Sequence, residues 1–251
     1  MLAGMSREYY IRLERGNATG VSESVLDAIS RALQLDDAER THLFNLARGA
    51  NSSLRPSRLR SPKPTGIKPL LRQTIEAMDN VPVFIQNGRL DGVAANALGE
   101  ALFAPLMDSE VSFMNAARFV FLDQRAQEFY PEWKKVAQEI VPVLRAEAGK
   151  SPFDRALTDL VGELSTRSEE FRQLWASQNV REHRTGVKKI HHPLVGDIDL
   201  QFEVMTLASE PSLQMFVFSA ERGSPSQIAL QLLGNLSATI KDRSSTNEPA
   251  V

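Results

Sequence analysis

A chain of 251 residues, 42% hydrophobic and 24% charged, has the makeup of a globular protein with room for one large domain or two modest ones. It contains no cysteine, which excludes disulfides, thiolate zinc sites, iron–sulfur clusters and cysteine nucleophiles and fits a cytoplasmic setting. The net charge of −2 is unevenly spread: residues 1–66 carry ten basic and seven acidic side chains, the remainder nineteen and twenty-four.

No apolar run approaches the ~20 residues that span a bilayer, and Arg7 and Glu8 interrupt any secretory h-region, so no membrane partner is expected. Along the chain, the segment Gly4 to Gly16 reads as the turn and recognition helix of a helix-turn-helix module. Gly4 suits a tight interhelical turn, and Ser6 can cap the following helix. Tyr10 and Leu13 recur at helical spacing, while Arg7, Glu8, Arg12 and Arg15 fall largely on other faces. Only Met1, Leu2 and Ala3 precede the turn, so the helix that should cross this one is almost absent.

Asn17-Ala18-Thr19-Gly20 is a loop, after which Ser22 can cap a helix with Val25, Leu26, Ile29, Ala32 and Leu33 on its apolar face. Asp36 and Glu39 form a capping pattern for a further helix bearing Leu43, Phe44, Leu46 and Ala47. Residues 1–50 are therefore expected to be a partial helical DNA-binding module. Residues 51–66 hold Pro56, Pro62 and Pro64 and read as a linker. Arg48, Arg55, Arg58, Arg60 and Lys63 make 48–63 basic without an acid, which suits either a phosphate-binding stripe or a solvated linker.

Residues 67–236 read as a second domain. Helical periodicity resumes from Pro69 to Met78, and Val81–Ile85 and Leu90–Ala95 are strand-like around an Asn87-Gly88 turn. A long helical stretch fills roughly 97–178. Strands return at Val187–His191, Asp197–Leu207 and Leu213–Ser219, and Ser224-Pro225 opens a last helix. Beyond Leu236, residues 237–251 are polar and read as a disordered tail. The fold class is α+β: a five-stranded antiparallel sheet with helices on one face, a PAS-like arrangement that commonly encloses a small-molecule pocket.

Both halves resemble one family, the XRE-type helix-turn-helix regulators with an MmyB-like ligand-binding domain. The likeness runs from Leu2 to about Leu233. It rests on Leu2-Ala3-Gly4-Met5-Ser6, Tyr9-Tyr10-x-Arg12-Leu13-Glu14-Arg15-Gly16, Val25-Leu26-Asp27-Ala28 and the run Leu35 to Phe44. In the second half it rests on Ala94-Ala95-Asn96, Asn115-x-x-Arg118-Phe119, Tyr130-Pro131-Glu132-Trp133, His192-Pro193-x-Val195-Gly196 and Ala220 to Ser226. The order and spacing of these motifs are specific, although each alone is weak. The resemblance implies a repressor or activator whose PAS-like domain can hold a fatty acid. Members carry a first helix and most of a second before the Leu-Ala-Gly. Their absence here reads as a miscalled start or a true truncation.

On this reading Ser6, Arg7, Glu8, Tyr9 and Arg12 meet operator bases, and Arg15 meets phosphate, in double-stranded DNA bound as a homodimer. The alternative for these residues is a solvated helix face. In the second domain Arg118 follows Asn115 and precedes Phe119 and Phe121, where a guanidinium could pair a fatty-acid carboxylate or a helix acid. Asn96 is a helix cap or a ligand contact, and Asn115 is a ligand contact. Tyr130 and Trp133 are core aromatics or ligand platforms, and Phe84, Phe202, Phe216 and Phe218 face core or pocket.

No enzyme and no cofactor beyond a bound fatty acid is expected. Gly20, Gly88, Gly92 and Gly99 form no phosphate loop, and His191 and His192 point to opposite faces of a strand. The competing reading is a stand-alone lipid-binding or dimerisation protein with an inert helix-turn-helix remnant.

Overall fold

The computed structural model describes residues 11, 21–52, 66–108, 112–113, 115–177 and 185–245. The chain divides into two compact units, Met1–Ser61 with Glu139–Glu182 and Pro62–Gln138 with His183–Val251. The sequence reading kept 67–236 together, whereas this division assigns 139–182 to the first unit.

In the first unit, α1 (Glu23–Ala32) and α2 (Asp37–Ser52) pack through Val21, Leu26 and Ala47 with Val25, Leu43 and Phe44. The expected capping box forms: the Asp36 N–H donates to Glu39 Oε2 at 3.0 Å and the Glu39 N–H to Asp36 Oδ1 at 2.8 Å. Ser22 precedes α1 without a side-chain capping bond; its hydroxyl meets Ser24 instead. Leu33 and Leu46, expected on apolar faces, are exposed. Helices α7 (Trp133–Lys150), α8 (Arg155–Arg167) and α9 (Glu169–Ala176) follow later in the chain, and the boundary between the units falls within α7. Asp154 and Ser168 cap α8 and α9. Phe171 stacks on Trp175, over which Arg145 lies while donating to the Trp175 carbonyl.

The second unit is built on a five-stranded antiparallel sheet. Its strands are β1 (Val83–Asn87), β2 (Gly92–Ala95), β5 (Thr185–His192), β6 (Gly196–Leu207) and β7 (Glu210–Ser219), in the order β2-β1-β7-β6-β5. Two further strands, β3 (Met107–Asp108) and β4 (Ser112–Phe113), form a separate ribbon in the stretch read as helical. Helices α4 (Ala97–Leu102), α5 (Ala116–Leu122) and α6 (Arg125–Phe129) lie between β2 and α7 in the chain.

Strands β1 and β7 are apolar on both faces, which explains why they read as unbroken runs rather than alternations. Val83 and Ile85 pair with Val217 and Met215 and face Ile67 and Ile75, the latter on α3 (Pro69–Glu76). Phe84, Phe216 and Phe218 take the opposite face. Helices were expected on one face only; α3 therefore corrects that expectation, because the second face of β1 and β7 is also apolar and needs cover. Edgeward, β6 has one buried row, and Ile198, Leu200 and Phe202 alternate with exposed residues.

Two local departures have simple causes. The β1–β2 connection spans residues 88–91, because Leu90 sits at φ +66° and β2 begins only at Gly92. Helix α10 runs Pro225–Ser245, so the tail read as starting at 237 begins helical; polarity there removed the apolar signal without removing helix formers. Leu230 and Leu233 bury one side of α10, which packs against α4 and β6. Among the described residues, no helix is long and apolar enough to cross a membrane.

The first turn of α4 presses directly on β1. A Cβ on Gly99 would lie 2.2 Å from the Val83 carbonyl oxygen, a clash with backbone that no rotamer relieves. Gly99→Ala should therefore destabilise the protein by roughly 2 kcal/mol or more, despite alanine's better helix propensity. Thermal unfolding beside Gly162→Ala, whose Cβ meets nothing within 4 Å, checks this; equal melting temperatures would refute it.

Candidate functional site

The six residues expected to contact DNA, Ser6, Arg7, Glu8, Tyr9, Arg12 and Arg15, lie outside the described residues. The second unit, by contrast, places nearly all of its candidates.

Between the sheet and the helices runs a continuous layer of rings. From the sheet come Phe84 on β1, Phe202 on β6, and Phe216 and Phe218 on β7. Phe103 at the end of α4, Phe119 on α5 and Phe129 with Tyr130 at the end of α6 complete it. The rings touch in sequence: Phe84 to Phe103 at 5.4 Å, Phe103 to Phe218 at 5.2 Å, Phe218 to Phe202 at 6.1 Å, and Phe103 through Phe129 to Tyr130 at 6.5 and 4.8 Å. Most are tilted or edge-to-face, the geometry ring quadrupoles favour. The four sheet phenylalanines were read as core or pocket residues. Phe103 counts among the apolar positions of the helical stretch in the sequence; Phe129 carries no such signal because it sits at a helix end, where periodicity is lost.

A charge borders this layer. Lys188 pairs with Leu200 across β5 and β6, so it shares the inner face with Ile190, Ile198 and Phe202. It is half-buried, and its Nζ lies 5.8 Å from the Tyr130 ring centre and 5.5 Å from that of Phe202. Gly186, opposite Phe202, leaves room for that ring, since a Cβ there would approach it to 3.0 Å. Lys189, facing the other way, reaches Glu132 Oε1 at 3.0 Å. That hydrogen bond holds the Glu132 carboxyl below its usual value and raises the Lys189 ammonium. Both lysines thus tie the edge strand β5 to the segment 130–132.

The two asparagines prove to be structural joints. Asn96 Oδ1 accepts from the N–H groups of Gly99 at 2.8 Å and Val83 at 2.9 Å, and its Nδ2 donates to the carbonyls of Met78 and Val81, both at 2.8 Å. Asn115 repeats the pattern. Its Oδ1 accepts from Ala117 and Arg118, and its Nδ2 donates to the Arg89 carbonyl at 2.6 Å and Asp91 Oδ1 at 2.8 Å. Each buried carboxamide spends both N–H donors on protein acceptors. Capping by Asn96 was legible in sequence; capping by Asn115 and the second pair of bonds in each case were not, the latter because fold topology supplies those partners.

Arg118 lies half-buried on α5, one turn inside the Asn115 cap. Trp133 donates its indole N–H to the Val120 carbonyl at 2.7 Å, joining the start of α7 to α5. Tyr130 is buried, with its ring edge-to-face against Phe119 and Phe129. Arg118, Asn115, Tyr130 and Trp133 thus gather on and around α5, whereas Asn96 sits apart where β2 meets α4.

His191 and His192 do face opposite ways. His191 is exposed and its Nδ1 meets Asp197 Oδ1 at 2.6 Å. His192 is 1% exposed: its Nε2 lies 3.1 Å from the Ala101 carbonyl and its Nδ1 accepts from the Leu194 N–H at 3.2 Å. Those partners assign the neutral tautomer with hydrogen on Nε2. Burial lowers its pKa, against a smaller opposing effect from the Ala101 hydrogen bond. Among the described residues, no group of three or more His, Asp or Glu could hold a metal ion.

The family profile of the MmyB-like transcription regulator ligand-binding domain matches residues 67–233, and the chain belongs to that family. No curated protein matches its sequence.

Two predictions follow from the polar joints. Replacing Asn96 by alanine strands two buried carbonyls and two N–H groups, and should cost on the order of 3 kcal/mol or more in thermal or urea unfolding. An unchanged midpoint would refute the joint. His192 titrates below its unfolded value, so its contribution to stability is complete above about pH 6.5 and is lost as pH falls from there through the folded pKa. Melting temperatures from pH 8 to 5 should fall less steeply for His192→Gln than for the wild type. Parallel profiles would overturn this.

Proposed function

We propose that this chain is a sequence-specific DNA-binding transcriptional regulator, cytoplasmic and homodimeric, whose ligand-binding domain takes a long-chain carboxylic acid of the fatty-acid class. The observation that carries the ligand half is the ring layer between sheet and helices. Its eight rings come from both layers and meet through side-chain contacts, so an apolar chain placed among them need not break the backbone ladder of the sheet. An acyl tail placed there gains about 0.8 kcal/mol per buried methylene, and roughly ten methylenes offset considerable repacking. Tyr130, itself one of these rings, and Trp133, bonded to α5, would line the ligand on the helix side. Asn96 and Asn115 would shape the site by holding α4 and α5.

The regulator half rests on the family and on the basic surplus of residues 1–66. Ser6, Arg7, Glu8, Tyr9 and Arg12 would read bases, and Arg15 would hold phosphate. Ligand would act by linkage, changing DNA affinity only as far as it prefers one arrangement of the protein over another.

Native and denaturing mass spectra of protein purified without detergent test the ligand half. Added sodium laurate should produce a stoichiometric laurate adduct in the native spectrum, absent from the denaturing one. A native spectrum unchanged by laurate would overturn the ligand class. Selection from a random duplex library tests the other half: an enriched sequence bound more weakly as salt rises is expected, and no enrichment would favour a stand-alone lipid-binding protein.

A further inference from the structure

We propose that Gln86 and Gln214 hold the polar head of the ligand at the open end of the ring layer, through hydrogen bonds from their carboxamides. The inference rests on the fatty-acid reading above and gives the ligand a direction in its site.

Register places the two side chains. Strand β1 pairs with β7 and β7 with β6, so that Phe84, Phe216 and Val204 stand side by side on the inner face of the sheet. Two residues along each strand, the next row is Gln86, Gln214 and Thr206. A polar row therefore adjoins an apolar one. The inner face also opens in that direction: Phe202 and Phe218 are buried, Phe216 and Val204 half-buried, and Thr206 exposed. Across the polar row the gradient runs from exposed Thr206 through half-buried Gln214 to Gln86, which is 7% exposed.

Gln86 differs from the other buried carboxamides of the unit. Asn96 and Asn115 are fully bonded, and Asn87 donates to Asp91 while accepting from the N–H groups of Arg89 and Asp91. The Gln86 carboxamide meets no hydrogen-bond partner among the described residues. A buried amide left unbonded costs free energy that an apolar side chain of the same shape would not.

A carboxylate supplies what the row lacks. Its two oxygens can accept from Gln86 Nε2, Gln214 Nε2 and the Thr206 hydroxyl. The open side of the row leaves part of its hydration in place, so the anion avoids the full cost of burial. The first methylenes of the tail then meet Phe84, Phe216 and Val204. From there the rings lead inward, Phe84 to Phe103 at 5.4 Å and Phe216 to Phe218 at 6.4 Å.

Titration calorimetry of the full chain, with sodium decanoate and sodium laurate as probes, tests the assignment. Wild type should bind laurate roughly tenfold more tightly, for its two further methylenes. Gln86→Met keeps the length of the side chain and removes its polar atoms. Both affinities should fall about tenfold, with their ratio held within about twofold. Without ligand, the melting temperature of the same variant should rise, because the unbonded amide is gone. If Gln86→Met does not fold, the same two affinities in Gln214→Met decide the question.

Unchanged laurate affinity in the deciding variant overturns the assignment and leaves the amide to water. A shifted laurate-to-decanoate ratio overturns it too, since the loss then lies in tail packing. So does a fall of affinity and melting temperature together in Gln86→Met, which marks a residue that serves the fold. Wild type binding neither probe sinks the ligand reading and this inference with it.

Discussion

The carboxamide of Asn96 binds three stretches of chain at once: the approach to β1 through Met78 and Val81, β1 itself through Val83, and the first turn of α4 through Gly99. The backbone N–H of Asn96 adds a bond to the Val83 carbonyl at 3.1 Å. In a buried position each of these groups would be costly to leave unmade, so the four side-chain bonds stand or fall together. What hangs on them is the separation between sheet and helices. Helix α4 must start within contact distance of β1, which the missing Cβ of Gly99 permits. Phe103 then leaves the end of α4 at the height where it meets Phe84 and Phe218. Asn115 does the same at the other end of the helical layer, binding α5 to the β1–β2 turn.

Much of this architecture is legible in the residues. The alternation of Ile198, Leu200 and Phe202 announces a strand with one buried face, and the uninterrupted runs at Val81–Ile85 and Leu213–Ser219 announce strands covered on both. Glu39 lies three residues beyond Asp36, the spacing at which each can bond the other's N–H. Legibility ends where a partner is remote in sequence. Nothing near Asn115 points to the Arg89 carbonyl, and nothing near Lys188 points to Tyr130. The period of two puts Lys188 on the same face of β5 as the buried Ile190, but a lysine on an otherwise mixed strand carries no signal until its neighbours are known. Strands of two residues, such as β3 and β4, are too short for any period to register.

The family sets the kind of molecule, a transcription regulator with a ligand-binding domain, and the structure narrows where selectivity can reside. On the proposed reading, discrimination between ligands falls to the few polar groups at the border of the ring layer. Three buried polar groups inside the unit are committed elsewhere: Asn96 to backbone, Asn115 to backbone and Asp91, and His192 to Ala101 and Leu194. On that reading the rings would supply affinity and the border chemical identity.

Strand β5 ends the sheet, and an outermost strand offers a row of backbone donors and acceptors to any extended peptide that drifts past. Lys188 and Lys189 grip the segment 130–132 from opposite faces of that strand, through Tyr130 and Glu132. The same pair of lysines thus serves as a guard against edge-to-edge association. Where charge on an outermost strand deters a second copy from pairing, a tether on that strand also limits the room in which one could dock. Solubility of the folded chain at high concentration is then partly a property of two adjacent side chains.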